Sequence, residues 1–206
     1  MKGRLFLHVL LAGVFFAAFL PGTGIAASSS ETSSMRAYLD EKNPKSLGEY
    51  ASIFEYLYEK HTEILKEATQ LTVMYFFSAA EDPQTHDIMS LTNIAVISAI
   101  AQSDAEMSRA KVLGEDVKDN RGLYISEAVC GSFKGALGSA YKQVTSAGQA
   151  VEGGLQAALN AGVDPDYAAT VVTRGIDTCL EERLENDVRI IEEATTDTNV
   201  CVSNCI

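Results

Sequence analysis

The chain has three histidines, and the position of His61 is the one that suggests chemistry. His61 falls on an apolar stripe at helical spacing, beside Tyr58, Ile64 and Leu65. An imidazole on such a face could bind haem or another small ligand, or transfer a proton, in a cavity between helices. The alternative is a partly buried core histidine with hydrogen-bonded ring nitrogens, because buried polar groups usually find partners. His61 and Tyr58 are therefore a hypothetical ligand-binding pair, and no cofactor or metal is expected from the sequence.

The sequence contains no motif for catalysis or metal binding that we could identify. Glu-x-x-His, His-Glu-x-x-His, Gly-x-Ser-x-Gly and the phosphate-binding glycine loop are all absent. The acidic residues of segment 115–120 lack calcium-loop spacing and indicate a solvated loop. An enzyme would have to combine His61 with an unidentified carboxylate. A non-enzymatic role is therefore favoured.

The first 26 residues have the pattern of a cleaved secretory signal peptide. Lys2 and Arg4 precede an apolar run, which ends at a Pro-Gly pair and a short segment of small residues. The apolar run is too short to span a bilayer comfortably. We expect cleavage near Ala27, a periplasmic or secreted mature chain, and no membrane association after cleavage.

All four cysteines lie in the second half of the chain. An even number in an exported protein favours disulfide bonds, and four cysteines allow three pairings. Cys130 and Cys179 both fall on apolar helix faces, which favours a bond between them and a local Cys201–Cys205 bond. The other two pairings would tie the C-terminal tail to the bundle. Redox catalysis and zinc binding are weaker alternatives, because the spacing of the cysteines matches neither kind of site.

The chain is acidic, which excludes one class of partner. Its 206 residues include 16 Lys and Arg against 28 Asp and Glu, giving a net charge of −12. Loss of Lys2 and Arg4 with the signal peptide would change this charge to about −14. Affinity for nucleic acids depends on Lys and Arg that neutralise phosphates, so no nucleic-acid partner is expected. An acidic surface instead suits a cationic protein.

Apolar residues recur at spacings of three and four through most of the mature chain, which predicts helices. One long helix is predicted from Leu47 to just before Asp82. A second is predicted over about 85–101, and a third from Asp104, because Ser103 and Glu106 match a capping box. Later helices are predicted over 123–144, over 149–161 with an end at Gly162, and from Pro165 for about six turns after capping by Asp164.

The predicted helix over 123–144 is rich in glycine. Gly131, Gly135 and Gly138 each weaken an isolated helix by about 1 kcal/mol relative to alanine, so a close neighbouring backbone is the expected reason for them. Lys134 and Lys142 interrupt this segment, which favours packing within the molecule over insertion into a membrane.

These patterns predict an all-α protein, an irregular bundle of five or six helices with disulfide bonds in its C-terminal half. The predicted parts are a signal peptide over 1–26, a flexible polar segment over 27–46, a helical domain over 47–194 and a cysteine-containing tail over 195–206. The favoured function is non-catalytic binding of a protein or small ligand in the bacterial envelope. The alternatives are an inhibitor or immunity-type protein that covers a cationic partner, and a small-ligand or haem binder that uses His61.

Overall fold

The computed structural model describes residues 28–80, 83–84, 86–139 and 146–204, apart from the side chains of 86, 146, 184 and 186–204. Every regular element in these residues is helical, which confirms the predicted all-α fold. There are seven described α-helices, rather than five or six. They are α1 (Ser29–Lys42), α2 (Leu47–Lys60), α3 (Leu65–Ala79), α4 (His86–Leu113), α5 (Arg121–Gly138), α6 (Ser146–Asn160) and α7 (Pro165–Asn204).

Helix α5 is the central helix of the bundle. It packs against α3, α4, α6 and α7, while α4 also packs against α2 and α6. Eleven of the 18 residues of α5 are buried. Its small side chains allow neighbours to approach on several sides, so α5 determines how the other helices are placed.

Helix α1 lies within segment 27–46, where the sequence predicts a flexible segment. The Ser28 hydroxyl accepts a hydrogen bond from the Glu31 backbone N–H, and the Glu31 carboxylate accepts one from the Ser28 backbone N–H. Such a reciprocal cap satisfies free donors at a helix start. Met35 and Leu39 are buried, and the Arg36 guanidinium lies 5.0 Å from the centre of the Tyr75 ring on α3. The expectation of flexibility is thus corrected, because capping and tertiary contacts order a polar sequence.

The long first helix of the prediction is two helices. Helix α2 ends at Lys60, a 3-10 turn occupies Thr62–Ile64, and α3 begins at Leu65. The Thr62 hydroxyl donates to the Tyr58 carbonyl at the break. One 3-10 turn takes three residues, close to the 3.6 of an α-turn, so the apolar stripe keeps its phase across the break. The spacing of the apolar residues therefore did not indicate the boundary between α2 and α3.

The predicted helix boundary at Ser103 is also wrong, because α4 continues through it to Leu113. The Glu106 carboxylate accepts hydrogen bonds from the Tyr124 hydroxyl at 2.6 Å and from the Gln102 amide at 2.9 Å. The carboxylate that would complete the capping box is therefore engaged elsewhere. No glycine or proline occurs between His86 and Leu113 to interrupt the helix.

Local signals predicted the end of α6 and the start of α7 correctly. Gly162, with a φ of 77°, follows the end of α6 in the left-handed conformation. The Asp164 carboxylate accepts hydrogen bonds from the backbone N–H groups of Asp166 and Tyr167, both at 3.1 Å. Helix α7 then continues to Asn204, through most of the range predicted as a tail, because no proline or glycine follows Gly175.

Candidate binding surface and the charged cluster beside it

Tyr58 and His61 occupy different environments. Tyr58 is fully buried, and its hydroxyl lies 2.6 Å from the Thr69 hydroxyl. Burial raises the pKa of Tyr58 further than this hydrogen bond lowers it, so the phenol stays neutral. His61 is half-buried at the end of α2, where its backbone N–H donates to the Leu57 carbonyl. The structure does not bring these two side chains together around a described groove, and a ligand there stays a prediction.

The predicted bond between Cys130 and Cys179 is confirmed. It joins α5 to α7, with 5.5 Å between the two Cα atoms, and both residues are buried. A persistent disulfide fits an oxidising compartment. The predicted Cys201–Cys205 bond lies outside the described side chains.

Three glycines of α5, Gly131, Gly135 and Gly138, lie against α3, and the backbone of α3 approaches Gly131 and Gly135 closely, as the sequence predicted for a neighbouring backbone. A Cβ atom added at Gly131 would be 2.6 Å from the Thr69 Cβ atom, and one added at Gly135 would be 2.6 Å from the Gln70 carbonyl oxygen. Both distances are shorter than van der Waals contact. The order of these contacts shows that α3 and α5 run in the same direction at their crossing.

A cluster of charged side chains, which we call the Lys66 cluster, connects α3, α5 and α7. Its members are Lys66, Glu67, Glu127, Lys134 and Glu182. The Lys66 ammonium donates to Glu182 at 2.7 Å and lies 3.9 Å from the Glu67 carboxylate. Lys134, which the sequence indicated only as an obstacle to membrane insertion, also donates to Glu182. Two lysines on different helices thus hold the same carboxylate of α7.

Lys66 acts electrostatically on Glu127 of α5 and on Glu182 of α7, and the pKa values of these two carboxyl groups are shifted in opposite directions. Burial raises the pKa of Glu127 to about 7, although Lys66 opposes the shift. Burial also raises the pKa of Glu182, but the hydrogen bonds from Lys134 and Lys66 outweigh it and leave this pKa below its ordinary value. Near neutral pH, Glu182 is therefore ionised and Glu127 is divided between two protonation states.

Replacing Glu127 with glutamine should remove a pH dependence of folding stability. The pKa of Glu127 is about 7 in the folded state, above its ordinary value of 4.5. The protonated side chain therefore stabilises the folded state fully at low pH, and this stabilisation is lost as the pH rises through 7. Between pH 5.5 and 8 the loss should be about 2 kcal/mol. Urea unfolding of wild type and Glu127→Gln at several pH values measures it. If the free energy of unfolding changed with pH equally in the two proteins, the raised pKa of Glu127 would be contradicted.

Helix α7 has the largest excess of acidic residues among the described helices. Helix α7 packs on α5 and α6 with one side. Its 40 residues include nine Asp and Glu against three Arg, a net charge of −6 within the −12 of the chain. On the described part Asp166, Asp177, Glu181 and Glu185 are exposed, and so are Arg174 and Arg183.

Exposed apolar side chains lie among these carboxylates. Tyr167 is 47% exposed and Leu180 is 42% exposed. A shallow groove of about 540 Å³ runs along the same helix, lined by Ala169, Thr170, Thr173, Arg174 and Asp177. We call the outward side of α7 from Asp166 to Glu185 the acidic face. It combines negative charge with apolar area that a partner could cover.

A second groove lies where α4 ends. Its volume is about 360 Å³, and its lining carries both charge signs, with Arg109 and Lys118 beside Glu106, Glu115 and Asp116. Neither of the two grooves is lined by His61 or Tyr58. Within the described residues, no group of three or more His, Cys, Asp or Glu is arranged to hold a metal ion.

The described residues contain no helix that is long and apolar enough to cross a membrane. No protein-family model, no curated protein and no solved structure matches the chain. Function must therefore be argued from the surface itself. The sequence did not predict the Lys66 cluster, because Lys66, Glu127 and Glu182 are far apart in the chain and only helix packing brings them together.

Proposed function

We propose that this is an exported, acidic, helical protein that acts without catalysis by binding a cationic protein in the bacterial envelope. The pattern of residues 1–26 supports export to the periplasm or the medium. The buried Cys130–Cys179 bond fits the oxidising conditions found there. The proposed partner carries a basic surface, as an enzyme with a cationic active site or a basic toxin does.

The acidic face of α7 carries this proposal. Its four carboxylates are exposed, and Leu180 is exposed among them. Tyr167 lies at the edge of this face, 47% exposed, with its hydroxyl against Gly122 of α5. Complementary charge accelerates association and selects against partners of the wrong sign. Burial of an aromatic side chain such as Tyr167 supplies affinity that charge alone does not. A protein of this kind would act as an inhibitor or immunity-type protein by covering its partner.

Charge reversal on the acidic face tests this function. A photo-crosslinking amino acid at exposed Thr173 should join the chain to its partner in cells that export it, and mass spectrometry identifies the partner. The triple change Asp177→Lys, Glu181→Lys and Glu185→Lys should reduce the adduct at least about tenfold. Raising the salt concentration to about 0.5 M in cell extract should reduce it as well, because salt screens exposed charges.

A matched control separates the acidic face from net charge. Glu55→Lys, Glu59→Lys and Glu63→Lys change the total charge equally, at exposed positions on α2 and the 3-10 turn. These changes should leave the adduct at Thr173 within about twofold of wild type. Equal losses in the two triple variants, an adduct insensitive to both, or no adduct with a basic protein would contradict the proposal.

A further inference from the structure

Two tyrosine rings are stacked between α1 and α2. The ring centres of Tyr38 of α1 and Tyr56 of α2 are 4.1 Å apart, and the ring planes are inclined by 16°. Tyr56 is 39% exposed and Tyr38 is half-buried, so solvent reaches the pair. Stacked aromatic rings bring carbon atoms of one ring into van der Waals contact with carbon atoms of the other.

This arrangement of two tyrosines occurs once in the described residues. The other ring contacts found there each include a phenylalanine. Four further tyrosines are buried, namely Tyr50, Tyr58, Tyr75 and Tyr124. Tyr167 of α7 is 47% exposed, but no described aromatic ring stacks on it. The chain contains no tryptophan, so tyrosines are its most easily oxidised aromatic side chains.

The stack joins α1 to a second helix. The buried residues of α1 are Met35 and Leu39, and α1 packs against α3. The contact between Tyr38 and Tyr56 extends this attachment to α2. A covalent bond between the two rings would therefore fix α1 to α2 and close the chain between residues 38 and 56 into a loop.

We propose that Tyr38 and Tyr56 form a modification site at which the two rings are joined as dityrosine, with hydrogen peroxide as the oxidant and an external peroxidase as its catalyst. The geometry favours this reaction because the rings already lie against each other. Two reactants held in contact react without a diffusional encounter. The site involves neither α7 nor its acidic face, so it goes beyond the binding function proposed above.

The coupling is balanced between the pair and the oxidant. Each phenol gives up one electron and one proton and becomes a phenoxyl radical, whose unpaired electron is shared with the ring carbons next to the C–O carbon. One such carbon of each ring forms the new carbon–carbon bond, and its hydrogen moves to the phenol oxygen of the same ring. The pair loses two hydrogen atoms in all, and one peroxide molecule is reduced to two molecules of water.

A neighbouring cation influences the first step at Tyr38. The Lys42 ammonium lies 5.4 Å from the centre of the Tyr38 ring. Its charge disfavours a positive charge on the ring, so the Tyr38 phenol must release its proton together with the electron. The product is the neutral radical that the coupling requires.

Oxidation of the disulfide-bonded full chain at low protein concentration tests the site. Treatment with hydrogen peroxide and a peroxidase should give a monomer with dityrosine fluorescence. Tryptic mapping should find segment 37–42 joined to segment 46–60 through Tyr38 and Tyr56, and the joined segments should together have lost two hydrogen atoms.

Two phenylalanine variants provide the matched comparison. Tyr56→Phe keeps a ring at this position but removes the hydroxyl, so its monomer should contain at least about tenfold less dityrosine. Tyr167→Phe removes an exposed tyrosine that has no stacked partner, and its monomer should stay within about twofold of wild type. Dityrosine found only in dimers, equal amounts in Tyr56→Phe and wild type, or a bond between other tyrosines would overturn the proposal.

Hydrogen–deuterium exchange tests the effect of the bond on α1. After crosslinking, opening of α1 should be at least about tenfold rarer than in the untreated chain, because the closed loop restricts the opened state. Tyr56→Phe should exchange equally before and after the same treatment. Unchanged opening of α1 in the crosslinked wild-type chain would overturn its fixation to α2.

Discussion

Gly135→Leu should destabilise the folded chain by about 3 kcal/mol or more, because α5 and α3 leave no space for a side chain at this position. A Cβ atom at Gly135 would lie 2.6 Å from the Gln70 carbonyl oxygen and 2.7 Å from the Val73 Cβ atom. One of these neighbours belongs to the backbone and cannot rotate away. For a chain of this size the melting temperature should fall by roughly 10 °C. Urea unfolding and thermal denaturation monitored by circular dichroism both measure the change.

Gly148→Leu provides the matched control. Gly148 also lies in a helix, α6, but a Cβ atom there would have no atom within 4 Å. Leucine is the better helix former by about 0.8 kcal/mol, so this variant should be as stable as wild type or slightly more stable. If the two substitutions changed stability equally, the close contact between α5 and α3 would impose no cost at Gly135, and the prediction would be wrong.

The parts of the fold that the sequence predicted correctly are those fixed by local chemistry. Asp164 and Pro165 start a helix, and Gly162 ends one, through backbone conformations and hydrogen bonds within a few residues. The need for a close neighbour at the α5 glycines was also visible, because glycine in a helix has a known cost. The identity of that neighbour, α3, was not visible.

The errors arise where tertiary contacts decide local structure. Residues 28–34 are small and polar, yet α1 forms because Met35 and Leu39 are buried and a capping box closes its start. The Ser103 and Glu106 pattern matched a capping box, yet Tyr124 and Gln102 take the Glu106 carboxylate. In both places a partner from another helix contributes: the core that buries Met35 and Leu39, and Tyr124 of α5.

The candidate site was predicted least well. His61 and Tyr58 were chosen by residue type, whereas the structure joins Lys66, Lys134 and Glu182 of three helices by hydrogen bonds. Lysine and glutamate are common on helix surfaces, so no composition or spacing distinguishes these three from solvated residues. The sequence shows that α7 is acidic. It does not show which of its residues face solvent, since that depends on which side of the helix packs on α5 and α6.

Removing the bond between Cys130 and Cys179 should destabilise the chain by about 4 kcal/mol. The two residues are 49 positions apart, and a crosslink that closes a loop of this length restricts the unfolded chain by about that amount in the chain-entropy model. We expect the double variant Cys130→Ala and Cys179→Ala to keep the fold, because both positions lie among buried apolar residues. Its free energy of unfolding, measured in urea without reductant, should be lower by about 4 kcal/mol.

The comparison with Cys201→Ala and Cys205→Ala tests the pairing as well as the energy. A bond between these two cysteines would close a loop of only about five residues, which the same model values at about 2 kcal/mol. The Cys130 and Cys179 variant should therefore lose the greater stability. Peptide mapping of the wild-type protein should find no bond that ties the C-terminal tail to α5. Because both bonded cysteines are buried, reductant should cleave their bond in wild type only as fast as the bundle opens. A smaller loss than in the tail variant, or rapid reduction of native protein, would contradict this view of how α7 is held.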